Sequence, residues 1–261
     1  MNIFKIKNNS KVEVFLSHFL LIWFLILIII GCIIGGSAGD DYGMGYVINW
    51  ERSLFENNPW QKQDSLGSIN VYGPLHPLMS FFYFLHPTLP KLIYMLFFSC
   101  ANFYIFQILK EKKYFNNFSN ILFFFLAVPF NFLSINYVFI FGHNDSLVAG
   151  LLIFSLMFKL QNNHKLSAIF IALSILEKYY TVVLLPIILF DYFKNHKIQE
   201  LGDYLLYLIL TVSVVMIAVF LLYGFNLNFL NNYLNHETTP RIFSYLGSIS
   251  WFIDLYKNRL G

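Results

Sequence analysis

The chain has 261 residues, of which 57% are hydrophobic, 20% aromatic and only 12% charged. That balance excludes an ordinary soluble domain, which needs more charged surface, and a disordered chain, which carries far less apolar content. The formal charge of +3, with Lys and Arg scattered along the chain, excludes a nucleic-acid partner, which calls for a clustered basic face.

Roughly twenty consecutive apolar residues cross a bilayer. Apolar windows at 15–34, 91–109, 119–139, 146–160, 166–176, 179–190 and 204–223 predict about seven spanning helices, and a further window opens near Ser248. The expected fold is an all-α polytopic transmembrane helix bundle forming one domain over 1–261. In it, 1–14 is a cytoplasmic N-terminus, 35–74 the first extracytoplasmic loop and 75–261 the remaining helices.

The first window ends in Ile29-Ile30-Gly31-Cys32, which resembles a lipoprotein cleavage box behind a leader charged by Lys5, Lys7 and Lys11. Its run of about twenty apolar residues exceeds a signal h-region, so an uncleaved first helix is expected. Cys32 and Cys100 both fall in apolar runs and read as packing residues rather than a disulfide. In the loop that follows, 46–60 is amphipathic and Trp-bearing, suited to lying along the membrane interface. The apolar stretch 74–85 is fenced by Pro74, Pro77, Pro87 and Pro90. At about 1.5 Å per residue it falls short of the hydrocarbon thickness and predicts a re-entrant half-helix, whose non-helical lead-in implies a cavity.

With a cytoplasmic N-terminus, 12 of the 17 basic residues lie inside, leaving Arg52, Lys62, Lys91, Lys178 and Arg241 outside. This satisfies the positive-inside rule. The same threading puts 8 of the 14 acidic residues outside, together with His76, His143 and His236. The working face is therefore expected to point outward.

Candidate chemistry follows in chain order. Asp40 and Asp41, just after a Gly-rich helix end, can supply a general base that takes a proton from an attacking hydroxyl; a solvated helix stop is the plainer alternative. His76, in the Pro-broken stretch Tyr72-Gly73-Pro74-Leu75-His76-Pro77, reads as an interfacial hydrogen-bonding group. In Gly142-His143-Asn144-Asp145, Asn144 or Asp145 can cap the helix that starts at Ser146, which accounts for one polar residue and not for the cluster.

Glu177-Lys178-Tyr179-Tyr180 interrupts two short apolar segments, which places charges within the outer leaflet or a cavity opening onto it. An ion pair between Glu177 and Lys178 is the plain alternative, although neighbours on a helix do not face one another. Lys178, as a point charge with three donors, suits a lipid phosphate, and Arg241 in the last outer loop can pair with phosphate bidentately. No nucleotide-binding or metal-ligand motif occurs. No cofactor is therefore assigned, and a divalent cation held by carboxylates stays open.

An Asp-bearing first outer loop, Tyr72-Gly73-Pro74-Leu75, Gly142-His143-Asn144-Asp145, and Lys178-Tyr179-Tyr180 followed by Leu184-Leu185-Pro186 together resemble the GT-C superfamily of polytopic glycosyltransferases. The nearest branch is the mannosyltransferase-like glycosyltransferase family 87, and the likeness covers roughly 39–191. It implies a hexosyltransferase that takes a sugar, with mannose expected, from a polyprenyl-phosphate donor to a hydroxyl of a lipid or glycan acceptor on the extracytoplasmic face. It further implies Asp40 or Asp41 as the base, Lys178 and Arg241 at the leaving phosphate, and His143, Asn144 and Asp145 at sugar hydroxyls or acceptor. His76 and Tyr179 complete the candidate binding set.

Thr181 stands where relatives are expected to carry proline, and Glu177 precedes the lysine where small or apolar residues are common. Members of the family run past this length and the last apolar segment holds about thirteen residues, so a truncated chain is expected. The alternatives are a polytopic transporter of a small solute or lipid, and a non-catalytic truncated relative.

Overall fold

The computed structural model describes residues 10–34, 72–86, 88–140 and 142–224. The interfacial helix expected at 46–60, the two candidate bases, Arg241 and the last apolar segment all lie outside the described residues.

The described chain is helical throughout. Helix α1 (Ser10–Ile34) leads, followed by α2 (Leu75–Leu85), α3 (Leu89–Glu111), α4 (Phe118–Ala127) and a short α5 (Phe132–Ser134) that runs on as a π-helical turn over Ile135–Ile140. Then come α6 (Asp145–Leu160), α7 (His164–Glu177), a 3₁₀ stretch Tyr179–Leu184, α8 (Leu185–Lys194) and α9 (Ile198–Tyr223).

Among the described residues, four segments are long and apolar enough to cross a membrane: Val12–Ile33, Leu89–Glu111, Phe118–Ile140 and Ile198–Tyr223. Their outward residues agree with that reading. On α9, Ile209, Val214, Ile217 and Leu221 are exposed, and on α1 Phe15, Ile22, Ile29 and Ile33 are too. Leaving such side chains in water forfeits about 1.5–3 kcal/mol each, a cost that acyl chains remove. The chain is a membrane protein.

The other windows fold as shorter pieces. Helix α2 has 11 residues and α7 has 14, or about 17 and 21 Å at the usual helical rise. The window 119–139 is not one continuous α-helix. Pro129, which has no N–H to give, falls where α4 stops, and the Asn131 side chain restarts the helix by accepting from Ser134 N at 3.1 Å.

Small residues let the central helices approach closely, the usual device where no hydrophobic effect drives helices together. A Cβ on Gly150 of α6 would lie 3.1 Å from the Phe97 carbonyl of α3. Between α6 and α7, Ser155 Oγ donates to Ser167 O at 2.8 Å and Ser174 Oγ to Val148 O at 3.2 Å. Around this centre, α1 buries Leu20, Phe24 and Leu27 against Met95, Phe124, Phe125 and Phe139. On the other side, α7, α8 and α9 close over Ala168, Ile171, Tyr192 and Tyr204.

One buried cation joins three segments. Lys91 in the first turn of α3 sits at the wrong end for its own helix dipole, but its Nζ donates to Gly31 O at 2.8 Å and to Ile140 O at 2.7 Å. Both acceptors are among the last carbonyls of their helices, which have no intrahelical partner. The left-handed Gly142 (φ +68°) packs against the same stem, where a Cβ would come within 2.6 Å of Lys91 Cγ.

At the opposite end of the bundle Lys159 pairs with Asp191, His164 Nδ1 meets the Tyr192 hydroxyl at 2.7 Å, and Lys159 lies over the Tyr192 ring. The Lys159 hydrogen bond holds the Asp191 carboxyl below its ordinary range.

Lys91→Met should lower stability by roughly 1–3 kcal/mol, because two carbonyls lose their partner while the relief of burying no ammonium offsets only part of that. Thermal unfolding in detergent measures this, and an unchanged or higher midpoint would remove the bridging role. A carboxyl depressed in the folded state stabilises above its unfolded pKa and ceases to do so as pH falls through the folded value. Asp191→Asn should therefore cost less than ~1 kcal/mol near neutrality, Asp191 itself being half-exposed, and that cost should fade as pH falls through the range where the folded carboxyl takes up its proton.

Candidate functional site

Four of the polar residues singled out along the sequence, His76, Asn144, Asp145 and Lys178, meet at the end of the bundle that also holds Lys91. The chain leaves α7 at Lys178, whose backbone is extended (φ −142°, ψ 123°), so consecutive side chains point to different neighbours. Glu177 turns inward and is fully buried, whereas Lys178 turns toward the surface.

Glu177 is the centre of the inner layer. Its Oε1 accepts from Asn144 Nδ2 at 3.0 Å and lies 2.8 Å from His76 Nδ1. Its backbone carbonyl accepts from Gly73 N at 3.0 Å, which ties the lead-in of α2 to the end of α7. The two backbones touch at Gly73, where a Cβ would lie 2.0 Å from Leu176 O, so only glycine fits. Glu177 Oε2 has no hydrogen-bond partner among the described residues.

The outer layer is half-exposed. Asp145 Oδ1 accepts from Lys178 Nζ at 2.7 Å and from the Tyr180 hydroxyl at 3.0 Å. Tyr72 joins the layers: its ring lies 4.5 Å from that of His76, and Lys178 Nζ stands 5.2 Å over it. The site thus combines a cation held by a carboxylate at the surface with an acid–imidazole–amide group beneath it. Hydroxyl, amide and ammonium donors there can hold a polar or anionic ligand.

Of the sequence candidates, His76, Asn144, Asp145 and Lys178 come together. Tyr179 turns instead toward Leu78, Met216, Val219 and Tyr223, and the buried His143 stacks on Tyr137 at 4.8 Å. Asp40, Asp41 and Arg241 lie outside the described residues. Asn144 precedes α6 without capping it by its side chain, which goes to Glu177. Glu177 and Lys178 do not neutralise each other, since each pairs with a residue on another segment.

Sequence reasoning left Glu177, Tyr180 and Tyr72 out of the binding set. An ionisable residue at a break between two short apolar segments was the available signal for Glu177. Tyr72 belongs to the Tyr72-Gly73-Pro74-Leu75 motif, which gives it no role of its own. Among the described residues no three His, Cys, Asp or Glu side chains gather as metal ligands. No known protein family, curated protein or solved structure matches the chain.

Gly73→Ala should detach the start of α2 from α7, because backbone cannot yield to a contact that short. Hydrogen exchange should rise across 72–86 while α3, α6 and α9 keep their protection; unaltered exchange there would show that the contact does not hold α2 in place.

Proposed function

We propose that this protein is a membrane hexosyltransferase of GT-C type, moving a sugar, with mannose expected, from a polyprenyl-phosphate donor to a hydroxyl acceptor on the extracytoplasmic face. The observation that carries the reading is the convergence of His76, Asn144, Asp145 and Lys178, from three separated stretches, at one end of the bundle. In this reading the chain crosses the bilayer about seven times with that end outward, and α2 is a re-entrant half-helix that helps to form the cavity.

The reaction assigned is direct displacement. Asp40 or Asp41 takes the proton of the acceptor hydroxyl, the acceptor oxygen bonds to the anomeric carbon, and the bond from that carbon to the phosphate oxygen breaks. The phosphate leaves with the electron pair, and its charge is met by Lys178 and Arg241. Lys178 is held ready by Asp145 and Tyr180 and exchanges the carboxylate for the phosphate when the donor binds. Asn144, Asp145 and His76 face the sugar and acceptor, with His143 and Tyr179 as outer members of the same set.

One observation favours a second reading. The lead-in of α2 and the break after α7 lie against each other through Gly73 and Glu177, and paired broken helices also build the binding sites of transporters. Membranes containing the protein, incubated with labelled polyprenyl-phosphate-mannose and polyprenyl-phosphate-glucose, separate the two. The transferase should consume one donor, Lys178→Met should slow transfer roughly 100-fold or more, and either Asp40→Asn or Asp41→Asn should abolish it. If neither donor is consumed the transferase reading falls, and if both Asn variants transfer at the wild-type rate the base assignment falls.

A further inference from the structure

The two ends of the bundle treat their lysines differently. At the end that holds Glu177, Lys91 bonds two carbonyls and Lys178 pairs with Asp145. At the opposite end Lys159 pairs with Asp191, whereas Lys165, Lys194 and Lys197 form no ion pair among the described residues. An ammonium beside lipid without a carboxylate partner calls for an anion from outside the chain.

Two of these, Lys165 and Lys197, border the turn between α6 and α7. Lys197 Nζ stands 3.5 Å from Asn162 Oδ1 in that turn. Lys165 is exposed, and its Nζ lies 5.2 Å from the ring centroid of Tyr207, in the third turn of α9. The long stem thus runs along the side wall of the bundle and not out past its end. On the flank of α9 next to Tyr207, Leu206 and Leu210 are exposed and belong against acyl chains. Glu200 and Asp203 share the Tyr207 stripe of α9, but neither pairs with Lys165 or Lys197. The two lysines therefore stand where acyl chains give way to headgroups.

We propose that the α6–α7 turn and the adjoining flank of α9 bind an anionic phospholipid: Lys165 and Lys197 meet the headgroup phosphate, and Leu206 and Leu210 carry an acyl chain. A lysine offers phosphate a compact charge with three donors, and each such cation near the membrane surface favours an anionic headgroup roughly fivefold. The site lies at the end of the bundle away from Glu177 and does not depend on the transferase reading.

The test uses the full chain, reconstituted in a mixture of phosphatidylcholine and phosphatidylglycerol and then washed in detergent. The lipids that stay bound are counted by mass spectrometry of the extract. The wild type should retain phosphatidylglycerol about fivefold or more in excess of its share of the mixture. Lys165→Met combined with Lys197→Met should bring that enrichment within about twofold of the mixture, while Lys165→Arg combined with Lys197→Arg should keep it, since arginine also pairs with phosphate. Lys112→Met combined with Lys113→Met, at the exposed end of α3, should leave it unchanged. Washing the wild type at ~0.5 M salt should weaken the enrichment, because salt screens exposed charges.

Retention of the two lipids in the proportions of the mixture would overturn the proposal, as would an enrichment that survives in the Lys165→Met, Lys197→Met protein. An equal loss in the Lys112→Met, Lys113→Met protein would overturn it as well, because the charge of the whole end rather than this site would then hold the lipid. The salt wash needs no variant, so an enrichment indifferent to salt counts against the proposal even where the methionine variant does not fold. Displacement of the lipid by inorganic phosphate in millimolar excess would mean that the lysines take a soluble anion, and the lipid assignment would fall.

Discussion

Taking a carboxylate out of water costs several kcal/mol unless donors converge on it, and Glu177 has no exposure at all. The ring at position 76 and the amide at position 144 meet the carboxylate, while the backbone N–H of Gly73 donates to the main-chain carbonyl of the same residue. A single residue at the end of α7 therefore binds the start of α2 and the start of α6. Each hydrogen bond to a charged group is worth roughly 1.5–3 kcal/mol, so the desolvation is offset only when all the segments are in place. The polar cluster and the packing of these segments are consequently one event.

Lys91 solves the same problem with the opposite sign. Helices that end inside the bundle leave carbonyls that no water reaches, and one ammonium serves the ends of α1 and of the π-helical turn together. Both charged groups sit at the same end of the bundle. Close helix contacts through Gly150, Ser155 and Ser174 bring the segments near enough for these short bonds to form. The charged chemistry is confined inside while the exterior stays apolar for lipid.

The helix break at Lys178 does the remaining work. Had α7 continued, Glu177 and Lys178 would have projected about 100° apart from one continuous surface. The extended backbone instead sends one side chain down to His76 and the other out to Asp145, which separates a fully buried network from a partly exposed ion pair. Tyr72, stacked on the ring below and under the ammonium above, couples the two.

Composition and apolar run lengths, read locally, were enough for an all-helical membrane chain, the short helix after Pro74 and the unusual position of Glu177 and Lys178, because lipid exposure and backbone satisfaction act on each segment by itself. Pro129 was visible too, yet the apolar window over 119–139 hid the break it makes. Only the tertiary structure decided that Asn144 serves Glu177 rather than a helix cap, that His143 and Tyr179 turn elsewhere, and that Lys91 bridges two helix ends. Those pairings join residues as far as 101 positions apart, and such choices depend on which helices pack together, which no local pattern of hydropathy specifies.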